Sequence, residues 1–390
     1  MRVRASGSFR RYAVDPRGIE GGVKRLRDDA AALAKRLHAQ RFRSIDQAGS
    51  ETSSCGWSRI DGTVPRDFGA EDPWLGTVLA VALRIDRKRL PPGALRVRRM
   101  EAEAAERRAA GERIAPGRRR EIAEKLEGEL IARVVPSTAL HAMLWDAWRG
   151  ELLLNSAADP ANVAFRALFR ATFGAAIDPL VTATLATRLA PGRKPAAIAP
   201  AAFVDGAAAP AGDAPAFLGR EFLLWLWHGC ETSGGRHELK EIGEVGVAFD
   251  RLLELGGIDE GGRVSVRGDA PTRAPEAASA LLGGRLPLRA RLVLARGTRS
   301  FETTLSADAL DLEAVGVSAD AEAISDENLR AGDEQRAGWL FELAAIVDAL
   351  FADFLRRRLA AGFEAALLPA MRRWIVARSR PAARAARAAP

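Results

Sequence analysis

The sequence predicts an α+β protein in which antiparallel sheets pack against helices. Two pairs of strand-like segments flank short turns, at Arg149-Gly150 and at Arg296-Gly297, as the strands of β-hairpins do. Other segments repeat apolar residues every three or four positions, which is the period of an amphipathic helix. With 390 residues, of which 48% are hydrophobic, the chain has ample material for a core and for several subdomains.

The N-terminal elements begin with a strand at residues 7–14, GSFRRYAV. Apolar residues then recur at helical spacing from 19 to 37, which predicts one amphipathic helix. The stretch ETSSCGWSRIDGT at 51–63 follows this helix and is predicted to be a loop. Residues 74–86, WLGTVLAVALRID, predict the next strand, which the turn signal LPPG at 90–93 ends.

Residues 94–134 are densely charged and helical in pattern. The sequence GERIAPG at 111–117 interrupts them, so we expect a helical hairpin or a broken long helix. The segments ALHAMLWDAW and ELLLNSA then predict a β-hairpin around Arg149-Gly150, and a helix is expected from about 160 to 173.

The second half of the chain opens with an Ala-, Pro- and Gly-rich connector. It continues with the apolar helix FLGREFLLWLWHG, the strands VGVAFDRLLEL and RVSVRG, the hairpin LPLRARLVLA and RSFETTLSA, and a long amphipathic helix from about 334 to 359. The predicted division is an N-terminal α+β region at 1–189 that includes the helical hairpin at 94–134, a linker or insertion at 190–216, a C-terminal α+β region at 217–365, and a partly disordered basic tail at 366–390.

The net charge of +8 is distributed unevenly along the chain. Residues 1–50 hold twelve Lys and Arg against five Asp and Glu, and residues 84–100 hold seven against one. Residues 283–299 hold five Arg and no acid, whereas acid is concentrated between 308 and 334. Segregated basic segments are typical of proteins that bind polyanions such as nucleic acid, although a solvated helix face is an alternative for each segment.

Several features bear on the compartment. Two cysteines, Cys55 and Cys230, are too few for a disulfide framework. The N-terminal stretch lacks the apolar segment and small-residue cleavage site of a secretory signal, and the longest strongly apolar run, 222–227, is too short to span a bilayer. We therefore expect a cytoplasmic protein with reduced thiols that does not enter a membrane.

Cys55 is a candidate nucleophile, since it follows two serines and precedes a glycine and a tryptophan. A catalytic thiol needs a base, and none of the four histidines lies near Cys55 in sequence. Gly56 and Trp57 are equally well explained as a turn whose aromatic ring packs into the first domain. A structural loop with an incidental thiol is the favoured interpretation.

Other candidate sites are weaker. HGCETSGGRHE offers His228, Cys230, His237 and Glu238 as zinc ligands, but their spacing matches no familiar zinc pattern. The acid-rich stretch 308–334 has the composition of a solvated charge run rather than of a two-metal nuclease centre, and the phosphate-loop and dinucleotide-binding motifs are absent. FLLWLW is better explained as a buried helix than as a base-stacking platform. We therefore predict no catalytic residues, no cofactor and no metal site.

The order of these features resembles RdgC, a family of recombination-associated DNA-binding proteins of bacteria. The similar features are the early strand and helix, Gly56-Trp57, Leu90-Pro91 before the charged helical segment, Met143-Leu144-Trp145 opening a hairpin, Phe173-Gly174 ending a helix, FLLWLW, and GGRLPLRARLVL before the last long helix. The resemblance covers most of residues 5–360. Where the family has an aromatic fingertip, near Pro136–Ala139, this chain has no aromatic residue, and where the family has a lysine, near Gly268–Asp269, the nearest basic residues are Arg267 and Arg273.

The resemblance implies a protomer of several subdomains in an elongated or horseshoe form, which pairs into a ring-shaped homodimer. Such a ring is expected to encircle double-stranded DNA without sequence preference and to modulate homologous recombination by limiting RecA access. It also implies association with the nucleoid. Binding to the backbone alone requires a basic surface and no active site.

Nine basic side chains are the predicted phosphate contacts. They are Arg87, Lys88, Arg118, Arg119, Arg120, Lys125, Arg285, Arg289 and Arg291.

The main alternative to a DNA-binding ring is a metal-dependent DNA exonuclease, which would need a particular carboxylate. A protein scaffold that binds partners through residues 94–134 is a third possibility.

Overall fold

The computed structural model describes residues 3–19, 21–46, 51–70, 72–111, 114–193, 195, 198–204, 217–257, 262–318 and 329–378. Within them the strands are β1 (Gly7–Val14), β2 (Ser53–Ser58), β3 (Trp74–Leu75), β4 (Val78–Arg87), β5 (Ser137–Asp146), β6 (Glu151–Leu154), β7 (Ile177–Pro179), β8 (Arg236–Leu239), β9 (Gly243–Gly256), β10 (Val264–Arg267), β11 (Leu286–Arg296), β12 (Arg299–Ser306) and β13 (Leu312–Ser318).

The helices of the described residues are α1 (Gly22–Asp28), α2 (Ala30–Ala39), α3 (Pro92–Ala110), α4 (Pro116–Arg133), α5 (Asp159–Phe173), α6 (Thr182–Leu189), α7 (Phe217–Thr232), α8 (Pro275–Leu282), α9 (Leu329–Arg358) and α10 (Leu368–Arg378). The mixture of helices and antiparallel strands confirms the predicted α+β class. No helix of the described residues has the length and apolarity needed to cross a membrane.

The chain divides into two units, each assembled from separate segments. Unit 1 contains Asp15–Arg149 and Ala158–Ile177. Unit 2 contains Arg2–Val14, Gly150–Ala157 and Asp178–Pro390.

In unit 1 the central strand is β4, which pairs antiparallel with β2 on one side and with β5 on the other. Its side chains are buried on both faces from Val78 to Leu83, as expected where both faces of a sheet are covered. Trp57 of β2 and Trp145 of β5 pack against Phe165, Phe169 and Phe173 of α5, and all five side chains are fully buried. This aromatic cluster is the core of unit 1.

Two predictions for the N-terminal region were wrong. The single helix expected over 19–37 is two helices, because the Asp29 side chain accepts a hydrogen bond from the Ala32 backbone N–H and caps a new helix there. Residues 53–58, expected in a loop, form β2. The stretch pairs with β4 over its whole length, from Ser53 opposite Arg87 to Ser58 opposite Ala82.

In unit 2 the sheet has the strand order β10-β9-β11-β12-β13-β1-β6, and β8 pairs with β9. Residues Ala290, Leu292 and Leu294 alternate along β11 and are buried. The apolar helix α7 packs against β9 and β11. The fully buried Arg11 of β1 donates hydrogen bonds to Glu151 of β6 and Asp348 of α9.

Part of the predicted linker is an ordered component of unit 2. The Glu221 carboxylate accepts the Ala201 backbone N–H at 2.8 Å, and Arg358 Nη2 donates to the Ala199 carbonyl at 2.6 Å. Arg372 donates to the Ala202 carbonyl. Polar contacts thus anchor residues 198–204 on three helices, whereas 205–216 lie outside the described residues.

The C-terminal segment also contains ordered structure. Residues 368–378 of the predicted basic tail form α10, in which Met371 and Ile375 are buried. The rest of the predicted tail, 379–390, lies outside the described residues, as do residues 319–328 of the acid-rich stretch. Within that stretch Asp311 is buried and Glu313 lies on β13.

Candidate nucleic-acid interface

The helical hairpin of α3 and α4 is the most exposed part of unit 1. No side chain of α3 that the structure describes is buried, and in α4 only Ala123 and Ile131 are buried. The two helices pack against each other. Val97 and Met100 of α3 are 55% and 61% exposed. The hairpin therefore presents most of its side chains to solvent.

Some of its basic side chains are held by carboxylates of the hairpin itself. Arg118 contacts Glu106 at 2.7 Å and Glu121 at 2.9 Å, and Arg120 contacts Glu124 at 2.8 Å. These hydrogen bonds raise the pKa of Arg118 and of Arg120. Both arginines are exposed, so their ion pairs compete with water and salt and hold the side chains weakly.

Other basic side chains of the hairpin have no ion pair within the part of the chain that the structure describes. All of them are exposed. They are Arg96, Arg99, Arg107 and Arg108 on α3, and Arg119, Lys125 and Arg133 on α4. Arg119 and Lys125 belong to the predicted phosphate contacts, whereas the other five were missed. Their position in the same charged segments was the signal that could have identified them.

Arg87 and Lys88 lie where β4 ends, before α3 begins. Arg87 is half-buried, and its backbone pairs with Ser53 and Ser137. Lys88 is only 3% exposed, and its ammonium group lies 3.4 Å from the Asp46 carbonyl. The Lys88 side chain is therefore directed into unit 1 rather than into solvent.

The three predicted contacts of unit 2 lie on or just before β11. Arg289 pairs with Glu313 and lies 3.7 Å from Glu254. Arg291 pairs with Glu302. Arg285 is half-buried.

The carboxylates of β9, β12 and β13 thus neutralise much of the positive charge on this face of the sheet. The Nε atoms of Arg289 and Arg291 are buried without a hydrogen-bond partner among the described residues.

Cys55 and Trp57 lie two residues apart on β2 and differ in burial. Cys55 is exposed, whereas Trp57 is fully buried and its Nε1 donates to Thr172 Oγ1 at 2.7 Å. A Cβ atom on Gly56 would lie 2.5 Å from the Phe42 backbone nitrogen. The motif Gly56-Trp57 therefore has a packing role, in a strand rather than in a loop.

The candidate zinc residues of HGCETSGGRHE do not converge on one point. Cys230 Sγ donates to the Val247 carbonyl at 3.2 Å, and burial raises the pKa of its thiol to about 12. His237 packs against the Trp225 ring, with 5.0 Å between the ring centroids. Across the described ranges, no group of three or more His, Cys, Asp or Glu side chains could hold a metal ion.

The apolar run FLLWLW lies in α7 and is buried from Phe222 to Trp227. This confirms its interpretation as core rather than as a stacking platform.

No protein-family model matches the chain, and no curated protein matches it. The resemblance to RdgC therefore rests on the ordered motifs of the sequence alone.

Proposed function

We propose that this protein binds double-stranded DNA without sequence preference and that the α3–α4 hairpin supplies the main phosphate contacts. The observation that carries the proposal is a set of exposed basic side chains on this hairpin that have no ion pair with any described residue, Arg119 and Lys125 among them. Arginine is well suited to phosphate because its planar guanidinium donates two parallel hydrogen bonds.

Charge supports this choice. The described residues of the hairpin, 92–111 and 114–133, hold ten Lys and Arg against seven Asp and Glu, a net charge of +3. The arginines Arg289 and Arg291 of unit 2, in contrast, already have carboxylate partners. Phosphates would have to displace those carboxylates, whereas no carboxylate of the described residues pairs with Arg119 or Lys125.

The proposal includes the assembly that the resemblance implies. Two protomers would pair into a ring around the duplex, and the ring would limit the access of RecA during recombination at the nucleoid. No sequence-specific base contact is needed for this role, because backbone charge alone holds the ring on the duplex.

The test of DNA binding is a salt titration with a fluorescent duplex. Each phosphate contact contributes about −0.9 to the slope of log K against log salt concentration. We expect a double variant, Arg119→Gln with Lys125→Gln, to reduce the magnitude of the slope by about 1.8 and to weaken binding for every duplex sequence tested. The matched control is Arg236→Gln with Lys240→Gln, which removes the same charge at exposed positions of unit 2.

Three results would contradict the proposal. They are the absence of duplex binding, a salt-independent affinity, and an equal loss of affinity in the control. Labelled ends in the same samples report on the exonuclease alternative, which predicts their metal-dependent removal.

The ring is tested separately by competition between linear and closed circular duplex, with the oligomeric state measured alongside. A ring dissociates from the open ends of linear DNA and persists on closed circles.

A further inference from the structure

A polar cleft of about 360 Å³ lies in unit 2, at one end of the strands β9 and β11. Arg220 of α7, Arg263 before β10 and Arg289 of β11 all line it. Glu254 of β9 lines it as well, as do Ser306 and Asp308 at the end of β12. Side chains from five different parts of unit 2 thus line one concave surface.

The arginines of the cleft differ in how they are held. Arg289 is fixed by its pairs with Glu313 and Glu254, and one Nη of Arg220 donates to the Gly257 carbonyl at 3.3 Å. Arg263 is exposed and has no ion pair among the described residues. Two guanidinium groups that pair with no carboxylate of the described ranges therefore border the cleft, beside a third that its neighbours hold in place.

A fourth cation lies beside this cleft. One Nη of Arg285 lies 3.9 Å from the position that a Cβ would take on Gly262, a residue that lines the cleft. Like charges brought together repel each other, and an anion bound among them relieves that repulsion. Three arginines line the cleft and Arg285 lies beside it, against two lining carboxylates, Glu254 and Asp308, and this excess of positive charge favours a bound anion.

We propose that this cleft binds a phosphate monoester, borne by a mononucleotide or by the terminal phosphate of a nucleic acid. A phosphate monoester carries a charge of about −1.5 to −2 at neutral pH, which two arginines can balance. Its oxygens accept hydrogen bonds from guanidinium groups and from the Ser306 hydroxyl. Asp308 has no ion pair among the described residues and can accept a hydrogen bond from the sugar or the base.

The size of the cleft supports a ligand of this class. A volume of about 360 Å³ falls within the range of small-molecule sites and accommodates one nucleotide. The duplex binding proposed above, in contrast, uses the α3–α4 hairpin of unit 1, whereas the cleft lies in unit 2. The inference is therefore independent of the duplex binding proposed above.

The test is calorimetric titration of the full chain with thymidine 5′-monophosphate and, in parallel, with thymidine. We expect the monophosphate to bind and thymidine not to bind. Arg263→Gln is expected to weaken binding of the monophosphate about tenfold or more, since it removes a charge-assisted hydrogen bond. Arg267→Gln is the matched control, because Arg267 is also exposed and lies on the neighbouring strand β10.

Two further measurements distinguish a free nucleotide from a nucleic-acid end, and phosphate binding in the cleft from duplex binding. The first compares a short single-stranded oligonucleotide with a 5′-phosphate and the same oligonucleotide with a 5′-hydroxyl. A preference for the phosphate assigns the cleft to nucleic-acid ends as well as to free nucleotides. Duplex affinity is measured for Arg263→Gln with hydroxyl ends and is expected to stay unchanged. Equal binding of thymidine and its monophosphate, or equal affinities in the Arg263→Gln and Arg267→Gln variants, would overturn the assignment.

Discussion

Arg358 Nε donates a hydrogen bond to Glu221 Oε2 at 2.6 Å, and the two side chains are only 4% and 0% exposed. This pair joins α7 to the C-terminal end of α9 inside unit 2. Each partner also holds the backbone of residues 198–204, so the pair organises three segments that are far apart in sequence.

Removing one partner of this pair leaves the other charge buried without compensation. We expect Glu221→Gln and Arg358→Met each to lower the free energy of unfolding by about 3–5 kcal/mol, measured by denaturation in urea. The exposed pair of Arg120 and Glu124 is the control, and Glu124→Gln should change stability by about 0.5 kcal/mol or less. Equal effects in the two pairs would contradict this account.

Two glycines are required by close backbone approach. A Cβ on Gly56 would collide with the backbone of Phe42, and a Cβ on Gly219 would overlap the Ala307 carbonyl oxygen. We expect Gly56→Ala and Gly219→Ala each to destabilise the protein by about 1–3 kcal/mol or more in thermal or urea unfolding.

Gly128→Ala is the matched control for these two substitutions. Gly128 lies on the solvent side of α4, where a Cβ would meet nothing within 4 Å. Because alanine has a higher helix propensity than glycine, this change should stabilise the protein by up to about 1 kcal/mol. Destabilisation by Gly128→Ala would show that the hairpin is not the solvent-exposed helix described above.

The two cysteines should differ sharply in reactivity. Cys55 is exposed, whereas the pKa of Cys230 is raised to about 12 by burial, so its thiolate is scarce at pH 8. We expect one thiol per chain to react rapidly with an aromatic disulfide reagent in the folded protein, and two after unfolding. Cys55→Ala should abolish the fast phase and leave duplex affinity unchanged, and loss of function in this folded variant would revive Cys55 as a reactive centre.

Burial of two histidines makes the stability of the folded protein depend on pH in the acid range. It lowers the pKa of His237, which lies against Trp225, and also that of His228. The unfolded chain therefore takes up protons near the ordinary histidine value of 6.5, while the folded chain resists them.

The free energy of unfolding should consequently fall as the pH drops below about 6.5, by at most about 1.4 kcal/mol per pH unit for each histidine. His237→Phe should flatten this dependence between pH 7 and pH 5, with His228 retaining its own part. Urea unfolding at several pH values measures the slope. An unchanged slope in His237→Phe would show that another group controls the acid transition.

The regular segments of the fold could be predicted because their pattern is local. The strand expected at 74–86 is β4 with the short β3 before it, and the helix expected at 334–359 is α9. The strand β2 could not be found this way, because SSCGWS shows no clear alternation and becomes a strand through pairing with a distant segment. The break at Asp29 depends on a single capping side chain within an otherwise continuous apolar stripe.

The basic character of the candidate interface could be predicted, but the partners of individual side chains could not. Arg118 meets Glu106 across the turn of the hairpin, and Arg289 meets Glu313 two strands away. Such pairs form between residues that the fold brings together, and sequence spacing does not reveal them. The burial of Lys88 has the same origin, since it follows from the packing around the end of β4.

The connection between β4 and β5 has a consequence for how this protein can be dissected. Arg87 and Ser137 face each other as the last pair of the two strands, so β4 and β5 form a hairpin whose connection is the 49 residues 88–136. We expect a two-residue Asn-Gly turn in their place to close the same hairpin and to keep the aromatic core of unit 1, since none of the five core aromatic residues lies in this segment. Transplanting the segment onto an unrelated β-hairpin would show whether it carries affinity for DNA by itself.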